Sequence, residues 1–171
     1  KLMICVKPAR NGIFYDYRLM ISFLTYYNTM GVTNFLFMDT GSFSPRIYKI
    51  FNIASKMGIF INVQTWAMRE THGWENHQVL FNEICVYYAM DEKYDNMAIV
   101  DFDEYIIPRV PIDQFGHLVM DNDYDSSISN TTITAAHDSN KFPNLLEYID
   151  ALDQQFPDAS NYKFQQACFL R

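Results

Sequence analysis

Residues 34–45 read NFLFMDTGSFSP, an apolar run followed by a polar turn and the start signal of a helix. The apolar run at 34–38 predicts a buried strand, and the polar residues after it are typical of turns. Ser44 followed by Pro45 predicts an N-cap with proline at the first helical position. Apolar residues then recur at helical spacing as far as Gly58. The stretch therefore predicts one strand–turn–helix unit.

The same alternation of strand and helix extends in both directions from this unit. Apolar runs predict further strands at residues 2–7, 59–64 and 97–101. Apolar residues with a helical period predict helices at residues 15–30 and 76–90. Strands separated by helices with short connections are the pattern of a parallel sheet covered on both faces. We therefore expect an α/β protein with a mostly parallel sheet flanked by helices.

The pattern loosens after Pro108. Helices are expected at residues 112–120 and 144–156, and strands of another arrangement at residues 128–135 and 162–169. No repeat, linker or low-complexity tract separates this part from the rest of the chain. The sequence thus predicts a single domain that ends in a smaller mixed region.

Length and composition indicate a packed globular chain. The 171 residues are 49% hydrophobic and 19% charged, which excludes a disordered chain and a coiled coil. The net charge of −7 comes without a basic stripe, so neither nucleic acid nor an anionic membrane surface is an expected partner. An anionic ligand would need a metal ion, or a local arginine or lysine, as its counter-charge.

Targeting signals are not visible in the sequence. No apolar run reaches the roughly 18 residues that a membrane span needs, and no signal peptide is visible within these residues. The sequence opens at Lys1 and stops within the apolar segment 168–171. We interpret it as part of a longer protein, so a membrane anchor is expected only in a segment outside these residues.

Several common catalytic motifs are missing. The glycines never fall two residues apart, which excludes the G-x-G-x-x-G dinucleotide fingerprint, and there is no G-K-[ST] phosphate loop. The sequence also lacks a G-x-S-x-G nucleophile elbow and an H-E-x-x-H zinc motif. Hydride transfer, P-loop chemistry, ordinary serine hydrolysis and zinc proteolysis therefore lose their expected signatures.

The three cysteines are Cys5, Cys85 and Cys168. Their odd number and the lack of a C-x-x-C pair fit neither a disulfide scaffold nor a structural zinc site. Each lies among apolar residues, so small buried hydrophobic side chains are the preferred interpretation. A bridge between Cys5 and Cys85 stays open as an alternative in an oxidising compartment.

Two aspartates stand where the predicted strand 97–101 ends. Asp101 and Asp103 are separated by one residue, and alternate residues of a strand point to the same face, so we expect their carboxylates to converge. Ligands of open parallel sheets bind outside the carboxyl ends of the strands. Because hard divalent cations prefer oxygen ligands, the pair predicts a metal site. A cation there would clamp a diphosphate and neutralise a departing leaving group.

A second acidic cluster occurs at residues 121–125, DNDYD. It invites a calcium-loop interpretation, but the sixth position is Ser126 instead of glycine and the twelfth is Thr132 instead of glutamate. A solvated loop is the preferred interpretation, and a calcium-binding module stays a competing hypothesis.

The remaining polar and aromatic candidates have simpler interpretations. Trp66 and Trp74 are expected in a core or lid, with stacking on a sugar as the alternative. The four histidines are isolated in the sequence, and His137 is the first choice if one of them binds a metal. Residues 130–132, NTT, form an acceptor sequence for N-glycosylation.

Residues 100–108, VDFDEYIIP, resemble the signature of glycosyltransferase family 92. Residues 16–37 are similar to the first helix and second strand of that family. Further similar positions are Asp39, Ser42, Gln78, Cys85 and residues 162–164. The similarity spans most of the chain.

The resemblance implies a GT-A fold and inverting transfer of galactose from UDP-galactose to a glycan, with Mn²⁺ (or Mg²⁺) as cofactor. It also implies the luminal domain of a single-pass type II Golgi membrane protein. By the resemblance, Asp101 would face the ribose and the metal, and Asp103 would be the main metal ligand. Arg10, in the first strand–helix loop, would lie near the nucleotide, and Asp39 would reach the uridine.

The resemblance further implies that the domain has two halves with different binding functions. Residues 1–108 would form the nucleotide-sugar-binding half, and residues 109–171 the start of the acceptor-binding half. The domain of the family continues beyond the position of Arg171, so part of the acceptor wall is expected there. A non-catalytic domain of the same fold that binds carbohydrate or a nucleotide sugar is the alternative function.

Inverting transfer needs a carboxylate that takes the proton of the acceptor hydroxyl. Glu104, Asp138, Glu147 and Asp150 are candidates by charge alone, and no other feature of the sequence selects one of them.

Overall fold

A computed structural model describes residues 1–8, 16–41, 43–65, 74–108 and 144–157, with the backbone alone for residues 74–78. The chain divides into two compact units, the first holding the described residues up to Tyr105 and the second those from Ile106 onward. The described elements are β1 (Leu2–Val6), α1 (Tyr17–Thr29), β2 (Asn34–Asp39), α2 (Pro45–Lys56), β3 (Phe60–Thr65), α3 (Trp74–Asp91), β4 (Asn96–Val100) and α4 (Leu145–Gln155).

Within the described residues, the four strands form one parallel sheet in the order β3-β2-β1-β4. The predicted α/β class with a parallel sheet is confirmed. Val6 pairs with Phe37 of β2 and with Val100 of β4. Since all strands run in the same direction, their carboxyl ends meet at one edge of the sheet.

The inner strands carry the core of the first unit. All of β1 is buried, and so is β2 after its first residue. The outer strands β3 and β4 are partly exposed, with Phe60 of β3 at 68% exposure. Burial on both faces therefore holds for the inner strands only, because a strand at the edge of a sheet has a neighbour on one side and less cover.

The helix boundaries follow the predicted signals. Asp16 caps α1, with its side chain accepting a hydrogen bond from the Arg18 amide (2.9 Å). Ser44 is the N-cap residue of α2 and is followed by Pro45, although the Ser44 side chain makes no capping hydrogen bond. Gly31, just beyond α1, has φ of +86°, a conformation that glycine adopts without steric cost and that ends the helix there.

A disulfide between Cys5 and Cys85 joins β1 to α3, with 6.1 Å between the two Cα atoms. Both cysteines are fully buried in a core cluster that also contains Met3, Leu36 and Phe81. The preferred interpretation as small buried side chains is confirmed for this pair, and the bridge that was left open as an alternative is present. The bridge left open by the sequence forms because α3 packs across β1 at this point.

In the second unit, α4 confirms the helix predicted at residues 144–156. Its N-terminus carries a capping box, in which the Asn144 side chain accepts from the Glu147 amide (2.9 Å) and the Glu147 carboxylate accepts from the Asn144 amide (3.0 Å). The elements predicted at residues 112–120, 128–135 and 162–169 lie outside the described residues. None of the described helices is both long and apolar enough to cross a membrane.

Candidate functional site at the carboxyl edge of the sheet

The ends of β1 and β4 bring two opposite charges together. The Lys7 amide donates a hydrogen bond to the Val100 carbonyl (2.9 Å), which continues the pairing of the two strands by one step. Lys7 and Asp101 are therefore the first polar residues beyond each strand and lie side by side. The Lys7 Nζ is 3.3 Å from Asp101 Oδ1, and the two side chains are 23% and 46% exposed.

The chain turns immediately after β4. The Glu104 amide donates to the Asp101 carbonyl (2.9 Å), and the Asp101 amide donates to Glu104 Oε2 (2.8 Å). These reciprocal bonds make residues 101–104 a closed turn. The expectation that Asp101 and Asp103 alternate along a strand is wrong. The strand β4 ends at Val100, and the next backbone amide, that of Asp101, donates its hydrogen bond to the Glu104 carboxylate.

Side chains in this turn divide between core and solvent. Phe102 is buried at 6% exposure, whereas Asp103 is exposed. Burial of the Tyr105 phenol raises its pKa, and the negative charge of the nearby Asp103 raises it further. The turn thus presents the Asp103 carboxylate to solvent while its aromatic residues face the protein.

An aromatic cluster on α1 anchors the turn. The ring of Phe23 lies 5.3 Å from that of Phe102, and the ring of Tyr26 lies 4.8 Å from that of Tyr105. The Tyr27 hydroxyl donates to the Glu104 carbonyl (3.1 Å). Since Phe23 and Tyr27 are themselves fully buried, the turn that carries the two aspartates rests on the core.

Asp39 ends β2 at the same edge and organises the loop that follows. One oxygen, Oδ1, accepts hydrogen bonds from the amides of Gly41 (2.8 Å) and Phe43 (3.1 Å). The other, Oδ2, accepts from the Tyr48 hydroxyl (2.6 Å). This bond to the carboxylate, helped by burial and by the Asp39 charge, raises the pKa of Tyr48 to about 12. At 5% exposure, Asp39 shapes the loop, and its expected contact with uridine stays a prediction.

The order of elements and the acidic turn both agree with the sequence resemblance. A family model, that of glycosyltransferase family 92, matches residues 1–163. The chain belongs to glycosyltransferase family 92. Comparison with curated proteins and with solved structures gave no match. Membership of family 92 implies transfer of a sugar from a donor to an acceptor, which accords with the absence of the other catalytic motifs.

Two carboxylates at the turn are the candidates for holding a divalent cation. Among the side chains that the structure describes, no group of three or more histidines, cysteines, aspartates or glutamates could enclose a metal ion. Mg²⁺ in enzymes that act on phosphates commonly uses only one or two carboxylates, together with water and substrate phosphates, and Mn²⁺ also favours such oxygens. Asp101 and Asp103, both reached by solvent, provide a donor set of that size.

Two of the candidate bases have other roles in the structure. The carboxylate of Glu104 closes the turn, and that of Glu147 closes the capping box of α4. Asp150 is exposed on α4. Asp138 lies outside the described residues. The geometry therefore favours neither Glu104 nor Glu147 as the residue that deprotonates an acceptor.

Other predicted site residues also fall outside the described part of the chain. Arg10, Ser42, Trp66, the acidic cluster 121–125 and His137 belong to this group, and Trp74 and Gln78 are described by their backbone alone. Lys7, by contrast, was missed by the sequence reasoning. Its position as the first polar residue after β1, matching Asp101 after β4, is the signal that would have found it.

Proposed function

We propose that this chain forms the donor-binding part of a metal-dependent, inverting hexosyltransferase that moves galactose from UDP-galactose to a glycan hydroxyl. Membership of family 92 supports sugar transfer. The single observation that carries the metal-dependent part is the acidic turn at the carboxyl end of β4, which is where open parallel sheets bind their ligands. The donor sugar and the inverting course rest on the resemblance.

In this proposal Asp101 and Asp103 hold Mn²⁺ or Mg²⁺. The ion, when bound, supplies positive charge that stabilises the diphosphate as it leaves the sugar. The remaining contributions come from the chain itself. Glu104 fixes the backbone of Asp101, Phe102 ties the turn to the core, and Asp39 shapes the loop after β2 at the same edge of the sheet.

The proposed compartment is the Golgi lumen, with a membrane anchor outside these residues. The Cys5–Cys85 disulfide supports it, because disulfides persist in oxidising compartments such as the secretory pathway and are rare in the cytosol.

The proposal predicts that Asp103→Asn weakens binding of UDP in the presence of Mn²⁺ by about tenfold or more, since a charged metal ligand is replaced by a neutral one. Isothermal titration calorimetry on the purified protein measures this affinity. Asp91→Asn is the matched control. Asp91 is exposed at the end of α3, just before β4 begins, and so lies at the opposite edge of the sheet.

An unchanged UDP–Mn²⁺ affinity in the Asp103→Asn variant would falsify the site assignment. A transfer assay with UDP-galactose, UDP-glucose and UDP-N-acetylglucosamine as donors tests the sugar. If the protein prefers another donor, the assignment of galactose is wrong, but the proposed metal-dependent sugar transfer still stands. Tight binding of UDP with no transfer by the full-length protein instead supports the non-catalytic alternative.

A further inference from the structure

Lys7 occupies a position that the proposed metal site does not explain. Its ammonium lies 3.3 Å from Asp101, a residue proposed to hold the cation. The backbone at Lys7 is fixed by its hydrogen bond to the Val100 carbonyl, and three-quarters of the side chain is covered. A lysine in this place neutralises the very carboxylate that the cation would need.

The two charges compete for Asp101. Without ligand, the ammonium is the counter-ion of the carboxylate. A divalent cation that binds Asp101 meets repulsion from the ammonium at short range. A nucleoside diphosphate changes this balance, because it brings negative oxygens that attract the metal and the ammonium together. The four-carbon stem of lysine is flexible enough to move its charge from one anion to the other.

We propose that Lys7 is a donor-binding residue that pairs with the Asp101 carboxylate while the donor is absent and binds the donor diphosphate when the metal and the nucleotide arrive. This inference rests on the proposed function of the acidic turn. It requires that the cation alone binds weakly and that the cation and the nucleotide strengthen each other's binding. In this chain of net charge −7, the lysine also places a positive charge where an anionic donor would dock.

The substitution Lys7→Met keeps most of the side-chain volume and removes the charge. For this variant the proposal predicts that the affinities for Mn²⁺ and for UDP change in opposite directions. The affinity for Mn²⁺ alone rises about two- to fivefold, because the competing ion pair is lost. The affinity for UDP at saturating Mn²⁺ falls about tenfold or more, because a charge-assisted contact to the diphosphate is lost.

Both affinities are measured by calorimetry on the purified protein, with electron paramagnetic resonance of free Mn²⁺ as a second readout. Lys7→Arg keeps the charge, so both affinities of this variant should lie closer to those of the wild type than the affinities of Lys7→Met do. Lys49→Met, at an exposed position of α2, is the matched control and should change neither. Lys7→Gln, a polar substitution, repeats the test if the methionine variant fails to fold.

The results distinguish failure of the role proposed for Lys7 from failure of the proposed metal and donor site. Opposite changes in the two affinities support the role of Lys7. Two unchanged affinities, or two that fall together, overturn it, since a merely structural lysine would weaken both. If Asp103→Asn abolishes UDP–Mn²⁺ binding while Lys7→Met matches the wild type, only the role of Lys7 is wrong. If the wild type itself binds no UDP with Mn²⁺, both proposals fail.

Discussion

The disulfide between Cys5 and Cys85 gives the most direct prediction about stability. It links the central strand β1 to α3 across a sequence separation of 80 residues. In the chain-entropy model, a loop of that length restricts the unfolded chain by about 4.5 kcal/mol at 25 °C, and losses of native disulfides usually fall at about 2–5 kcal/mol. Breaking this bond should therefore lower the free energy of unfolding by about 3–4 kcal/mol.

Urea denaturation of the wild-type protein with and without reductant measures this loss without changing any residue. A Cys5→Ala/Cys85→Ala variant should lose about as much, plus about 1 kcal/mol for the small cavities that truncation leaves in a fully buried cluster. Cys168→Ala is the control and should respond to the reductant as the wild type does.

Counting thiols tests the bond itself. The chain has three cysteines, so protein unfolded in denaturant without reductant should expose one reactive thiol, that of Cys168, and three after reduction. Three reactive thiols before reduction would show that the bridge is absent. A loss of stability below about 1 kcal/mol on reduction would refute the loop-entropy argument even if the bond is present.

Two further predictions concern the core and the loop after β2. Phe23→Ala should cost about 3–5 kcal/mol of unfolding free energy, whereas Ile53→Ala, at a position 59% exposed, should cost under about 0.5 kcal/mol; equal losses in urea denaturation would contradict this core. Because Asp39 raises the pKa of Tyr48 to about 12, the bond between them stabilises the fold fully below pH 10 and is lost as the pH rises toward about 12. Tyr48→Phe should remove that part of the pH dependence of unfolding, and a wild-type phenolate that titrates near pH 10 in the absorbance at 295 nm would refute it.

The elements of the fold could be predicted because each is encoded locally. Apolar runs mark the strands, and the sequence Ser44-Pro45 marks the start of α2, so periodicity and capping signals suffice. The order of the strands is not local. Nothing within residues 2–7 or 97–101 says that β1 and β4 are neighbours, since that choice depends on how the connecting helices pack. The exposure of β3 escaped prediction for the same reason.

The pairing of the cysteines shows the same limit. The apolar residues next to Cys5 and Cys85 in the sequence predict that both are buried, because adjacent apolar residues indicate a buried segment. Whether two buried sulfurs meet depends on the contact between β1 and α3, which no local pattern contains. The position of Lys7 as the first polar residue after β1 can be read from the sequence, but its pairing with Asp101 depends on β1 and β4 being neighbours, which no local pattern contains.

The acidic turn combines aromatic residues that anchor it with the two aspartates that are proposed to bind a metal ion. Its carboxylates were predicted at the right edge of the sheet, but through a strand geometry that the structure replaces with a turn. The apolar members explain why the turn is still well placed: Phe102 packs on Phe23, and the backbone of Glu104 is held by Tyr27. An aspartate pair on a solvated loop would lose backbone and side-chain entropy on meeting a cation, whereas a pair whose backbone is already held by the core would lose mainly side-chain entropy. The aromatic residues within 100–108 are therefore part of the proposed site, because they hold the turn that carries Asp101 and Asp103, although none of them would contact the metal.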